Sequence, residues 1–101
     1  MIVVRFKVQA RPDRVEELMA ALTEVIAPSR RIPGCVWFDV ARCLDDPCAF
    51  VATEVFEDRA ALDRQEAQSQ VAAVLALLPD AVAAEPVATI YEVSSVQPHG
   101  G

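Results

Sequence analysis

Glu54 is the side chain of this chain most readily given a chemical task. It stands in the run Phe50-Val-Ala-Thr-Glu54-Val-Phe56, whose even positions are Phe50, Ala52, Glu54 and Phe56. Strand alternation would send all four to one side, and the phenylalanines mark that side as apolar. A carboxyl group there loses hydration, its pKa rises, and it becomes suited to general-base work. Phe50, Ala52 and Phe56 would then line the pocket it faces. The competing expectation is a structural carboxylate, paired with a cation or hydrogen-bonded at the rim of the core. Trp37, the sole tryptophan, either lines a pocket or anchors an interface, packing being the commoner duty of a large aromatic. Tyr91 divides in the same way between a hydroxyl offered to a ligand and a core or interface position.

Other reactive side chains are few. The one histidine, His99, lies near the C-terminus. Cys35, Cys43 and Cys48 are odd in number and lack CxxC spacing, which speaks against a disulfide framework or a zinc site. Free buried thiols are the expectation, and a redox pair of Cys43 and Cys48 facing each other across a turn is the alternative.

The elements that must position these groups follow from periodicity. Ile2 to Val8 alternates, with Ile2, Val4, Phe6 and Val8 against Val3, Arg5 and Lys7, which is a strand pattern. Pro12 suits a first helical turn, where its missing N–H costs nothing. Val15, Leu18, Met19, Leu22, Val25 and Ile26 then make one apolar helical stripe, acidic near its start and basic near its end, stopped by Pro33-Gly34. Cys35–Cys43 and Ala49–Phe56 read as strands joined by Leu44-Asp45-Asp46-Pro47, a connection short enough to demand an antiparallel hairpin. Asp58 should cap a second helix carrying Leu62, Val71, Val74, Leu75 and Leu78, with a break near Gln65 and an end before Pro79. Pro86–Ser94 completes the set as a last strand with Val87, Thr89, Tyr91 and Val93 on one side.

This order, βαββαβ, predicts an α+β, ferredoxin-like domain over residues 1–95, an antiparallel four-stranded sheet with two helices on one face. Residues 96–101 form a flexible tail in this reading. Both faces of the sheet are apolar enough to need cover, where a solvated face would alternate with polar residues. Helices shield one, and the same face of a second copy most economically shields the other, giving a two-fold homodimer. A hydrophobic share of 53% also exceeds what one small core needs. A net charge of −6, with nine basic residues scattered among fifteen acids, argues against nucleic acid as a partner. No apolar run approaches the roughly 20 residues that span a membrane, and the N-terminus lacks the plan of a signal peptide. A cytoplasmic protein is expected.

The stretch Ile32-Pro-Gly-Cys-Val-Trp-Phe-Asp-Val40, then Asp45-Asp46-Pro47, then Phe50-Val-Ala-Thr-Glu-Val-Phe-Glu-Asp58 and Ala61-Leu62 resembles the antibiotic biosynthesis monooxygenase family. The hairpin-to-helix segment is the specific part, and a compatible pattern covers nearly the whole domain. The resemblance implies a dimeric α+β barrel. It also implies oxygenation of phenolic, anthrone-like or quinol substrates with no cofactor and no metal, the electron-rich substrate itself giving an electron to oxygen. The protein would deprotonate that substrate, hold it in a dry pocket between sheet and helices, and stabilise the anion.

The sequence departs from the family pattern at Phe56, where a tryptophan is common, at Gln65, where the second helix carries histidine, and at Ala52, where some members have asparagine. Neither Gln nor Phe transfers protons near neutral pH as His does. Glu54 and Gln65 are then the candidate catalytic pair, Gln65 bonding to Glu54 or to a ligand, or being a plain solvated helix residue. Haem-degrading relatives use the helix histidine on iron, which Gln65 does not replace. A cofactor-independent monooxygenase acting on a small aromatic is the leading expectation. A non-catalytic binding or accessory protein on the same scaffold, or an isomerase or cyclase, is the alternative, since function lives in the site rather than the fold.

Overall fold

The computed structural model describes residues 1–100. Four strands, β1 (Ile2–Gln9), β2 (Cys35–Arg42), β3 (Ala49–Phe56) and β4 (Val87–Glu92), combine with three helices, α1 (Val15–Arg30), α2 (Arg59–Glu66) and α3 (Ser69–Ala81), in the order β1-α1-β2-β3-α2-α3-β4. The sheet runs β2-β3-β1-β4, every neighbour antiparallel, so the expected ferredoxin-like α+β architecture is what the chain forms. Its register divides the residues into two sets of rows. On the inner face, under the helices, Phe38, Glu54, Val4 and Ile90 lie side by side across all four strands, and Val40, Ala52, Phe6 and Ala88 form the next row. On the outer face the corresponding rows are Trp37-Val55-Val3-Tyr91 and Asp39-Thr53-Arg5-Thr89.

Helix α1 buries Val15, Leu18, Leu22, Val25 and Ser29, a spacing of three and four that gives one stripe against the sheet. Phe56 on β3, Leu18 on α1 and Leu62 on α2 are among the side chains sealed from solvent and tie the three layers of contact together. Each such side chain contributes about 1.5–3 kcal/mol relative to exposure. Asp58 caps α2 as expected, its Oδ1 accepting from the Ala61 N–H at 2.9 Å. The hairpin turn is held by Asp46, whose Oδ1 accepts from the Cys48 N–H and whose carbonyl accepts from the Ala49 N–H.

Several boundaries differ from the sequence reading. Pro12 begins a separate 3-10 turn, Pro12–Arg14, ahead of α1. The second helix divides in two, and the break expected near Gln65 falls at Ala67–Gln68, leaving Gln65 itself helical and buried. Helix α3 continues through Pro79 to Ala81. A proline so near a C-terminus forfeits one hydrogen bond, and the burial of Ala81, with its carbonyl accepting from the Arg11 N–H at 2.8 Å, outweighs that loss. Strand β4 is shorter than Pro86–Ser94, and β2 ends at Arg42. Residues 95–100 carry no helix or strand; Gly101, the end of the predicted tail, lies outside the described residues. Among the described residues no helix is long and apolar enough to cross a membrane.

Candidate active site

Glu54 sits on β3, an interior strand, flanked in register by Val4 and Phe38 and roofed by α2. It is 8% exposed, and no hydrogen bond or salt bridge to it exists among the described residues. The paired, structural carboxylate that the sequence also allowed therefore finds no partner among the described residues. Lost hydration, with the charge of Glu66 nearby, pushes the Glu54 carboxyl up from 4.5 to about 7.

Gln65 is 4% exposed on the last turn of α2. Its amide does not reach Glu54: Nε2 donates to Ser29 Oγ at 3.1 Å, and the Ser29 hydroxyl donates to Gln68 Oε1 at 3.2 Å. This relay ties α2 to the end of α1 across the loop that separates α2 from α3. Among the described residues every fully buried side-chain nitrogen and oxygen has a partner, so the Gln65 Oε1 and the Glu54 carboxyl, for which no partner is found there, both keep open surface. That surface belongs to a cavity.

The cavity, about 250 Å³, lies between the inner face of the sheet and the helices. Val4, Phe6, Phe38, Val40 and Ala52 form its floor. Leu22 and Val25 of α1 and Leu62, Val74 and Leu75 of α2 and α3 form the walls, with Leu75 exposed at the rim. Its polar side chains are Glu54, Gln65 and Glu66 alone. An ionisable group isolated in an apolar concavity of this kind is what proton transfer requires, a group poised near neutral pH and shielded from water.

The structure sorts the other sequence candidates. Ala52 lines the cavity beside Glu54. Phe50 and Phe56 point to the same side but lie in the solid core, Phe56 fully buried, and do not reach the cavity wall. Trp37 and Tyr91, 58% and 50% exposed, stand on the outer face, separated from the cavity by the thickness of the sheet. A bulge between Cys35 and Trp37 sets that side for Trp37, and its indole N–H bonds Asp39 instead of a ligand. Arg5, on the same face, makes no salt bridge among the described residues: Asp39 is held by Arg30 at 2.9 Å, and Glu92 falls in an inner-face row with Ile2. Cys35, Cys43 and Cys48 are free and half-buried. In the hairpin Cys43 bonds across to Ala49 while Cys48 packs against the core, so the two do not oppose each other as a pair. Among the described residues no group of three His, Cys, Asp or Glu side chains could hold a metal.

Glu66 and Ser29 are the members of the site that the sequence did not signal. Glu66 follows Gln65 in a polar helical run and looks like any solvated acid. Ser29 sits between Pro28 and Arg30 at a helix end, and only the packing of α2 onto α1 turns it into a buried hydrogen-bond bridge.

Comparison with known proteins places this geometry. The sequence profile of the antibiotic biosynthesis monooxygenase family matches residues 1–77. An uncharacterized protein of Synechocystis is 30% identical over 96 residues, 95% of this chain, and the chain spans 65% of that relative's length. A Deinococcus radiodurans protein proposed to be an antibiotic biosynthesis monooxygenase superposes with a TM-score of 0.88 at 20% identity, covering 100% of both chains. A Mycobacterium tuberculosis protein superposes with a TM-score of 0.87 at 23% identity, covering 96% of this chain and 98% of its own. These two structures share the fold, while the profile match spans both strands of the hairpin, Glu54 and the helix that bears Gln65. The chain belongs to the antibiotic biosynthesis monooxygenase family.

Proposed function

We propose that this protein is a small-molecule enzyme of its family in which Glu54 accepts a proton from a phenolic or quinol ligand held in the inner cavity. The resulting electron-rich anion passes an electron to oxygen without a cofactor. One observation carries the reading: a buried carboxyl group, unpaired and poised at about 7, faces an apolar cavity. A base poised near the working pH combines a large ionised fraction with real proton affinity. The protein acts in this reading as a cytoplasmic homodimer joined through the outer face of the sheet. Free thiols at all three cysteines support a reducing compartment, and the row Trp37-Val55-Val3-Tyr91 supports the interface.

A second reading, binding without turnover, has its own support. An oxyanion needs N–H donors or a cation aimed at it; no Lys, Arg or His lines the cavity, and one of the two Gln65 N–H groups is already given to Ser29. Oxygen uptake with a panel of anthrones and quinols separates the two. Uptake above buffer that falls at least about 100-fold in Glu54→Gln is the expected result, the scale at which general bases contribute. Ligand binding with no uptake would leave the binding reading, and neither binding nor uptake would end both.

A further inference from the structure

We propose that Ser29 is a positioning residue of this site: it holds the Gln65 carboxamide so that the amide's second N–H serves the anion formed when Glu54 takes a proton from the ligand. The inference deepens the proton-transfer reading above and rests on it. In that step the ligand O–H bond breaks, a new O–H bond forms on the Glu54 carboxylate, and the electron pair stays on the ligand oxygen.

Ser29 is fitted to this by its burial and by where its hydroxyl goes. A serine or threonine inside a helix commonly returns its O–H to the carbonyl one turn back, as Thr23 does to Met19 at 2.7 Å. Ser29, on the last turn of α1 and sealed from solvent, instead donates to Gln68 Oε1 at 3.2 Å, 39 residues along the chain. With its single O–H so given, Ser29 Oγ has only acceptor capacity left. It accepts from Gln65 Nε2 at 3.1 Å. Gln65 belongs to the last turn of α2 and Gln68 immediately precedes α3, so one hydroxyl spans the break between the two helices that wall the cavity.

A carboxamide is nearly two-fold about its last bond, so without a fixed neighbour its nitrogen and oxygen ends interchange. Ser29 removes that freedom, because an acceptor holds the nitrogen end. Gln65 lines the cavity and keeps its Oε1 and one N–H for what enters. That N–H counts because donors are scarce there. Among the described residues no Lys, Arg, His, Ser, Thr or Tyr lines the cavity, and Gln65 is the one lining side chain with a standing N–H. Glu54, once protonated, returns one O–H bond to the anion it has made; Gln65 supplies the second donor. The titratable groups around this position are Glu54 on β3 and the solvent-exposed Glu66 on α2, with the Cys35 thiol on β2, pushed up by burial, sensing Glu54. The lining residues of α1, α3, β1 and β4 are all apolar.

Absorbance titration of 4-nitrophenol, whose anion is coloured, bound to the purified protein from pH 5 to pH 10 tests this without any oxygen chemistry. Ser29→Ala should raise the pH at which the bound phenol ionises by about one unit, the scale of one hydrogen bond to a charged group. Gln65→Leu should raise it equally. The double variant should shift no further than Gln65→Leu alone, because Ser29 acts through that amide. A serine that only joins α1 to α2 would lower the urea midpoint and leave the ionisation unmoved, and that result would overturn the inference, as would shifts that add in the double variant. Should Ser29→Ala fail to fold, Gln68→Leu breaks the relay from the side of α3 and should move the ionisation in the same direction; no movement there overturns it too. In each of these failures Glu54 remains the base, and Glu54→Gln still abolishes oxygen uptake. A parent protein that does not bind 4-nitrophenol at all would overturn the positioning and the cavity reading together.

Discussion

Glu54 carries a proton equilibrium that can be read without knowing the ligand. Its carboxyl is pushed up from 4.5 to about 7 in the folded protein, so between those values the native state holds a proton that the unfolded chain has released. Stability therefore falls as pH rises through this window, and the loss is complete above the folded value. The cost is on the order of 3 kcal/mol. Glu54→Gln, which keeps the shape and discards the charge, should be more stable than the parent at pH 8 and indistinguishable from it at pH 4. Urea midpoints of both proteins across that range check this, and a pH-independent difference would mean that the carboxyl is paired after all. Strand alternation was enough to place Glu54 inward, because period two is fixed by the backbone. Whether a partner waited there was decided by residues distant in sequence.

At the level of elements, the site depends on how the α1–β2 turn docks against α2. Gly34 adopts φ +89°, and a Cβ there would meet the Ala61 Cβ at 2.7 Å. Its carbonyl accepts from the Glu57 N–H at 2.8 Å, and Arg64 donates to the Pro33 carbonyl at 2.7 Å. Gly34→Ala should cost more than about 1 kcal/mol, through the left-handed backbone and the lost approach together. Asp58→Ala should cost about 1 kcal/mol through its cap. Denaturant unfolding measures both, and a neutral Gly34→Ala would show that α2 is not seated on this turn. Pro33-Gly34 announced the stop in the sequence. The split of the second helix was legible to within a few residues of Gln65, and its exact place, Ala67–Gln68, was not, since neither residue is a glycine or proline.

The outer face of the sheet raises the question of the whole molecule. Trp37, Val55, Val3 and Tyr91 make an apolar row from one edge to the other, with Trp37 and Tyr91 half or more exposed in the single chain. A row of this kind is the self-complementary patch that a two-fold interface uses. Sedimentation equilibrium at micromolar concentration should give a mass of about 22 kDa, twice the 11.0 kDa chain. Val55→Lys, which sets a charge in the middle of the row, should return it to a single subunit. A parent protein that sediments as one chain would remove the interface and leave Trp37 and Tyr91 without a role.

The sequence alone determined the element order, the antiparallel hairpin, the inward set Phe50, Ala52, Glu54 and Phe56, and the family, because these rest on periodicity, turn chemistry and a local motif. Tertiary structure decided which of those inward residues reach open space and which are packed solid, which way the Gln65 amide is spent, and that Glu66 shares the cavity with Glu54. Periods and motifs report on neighbours along the chain, whereas a cavity is bounded by what several elements leave unfilled between them.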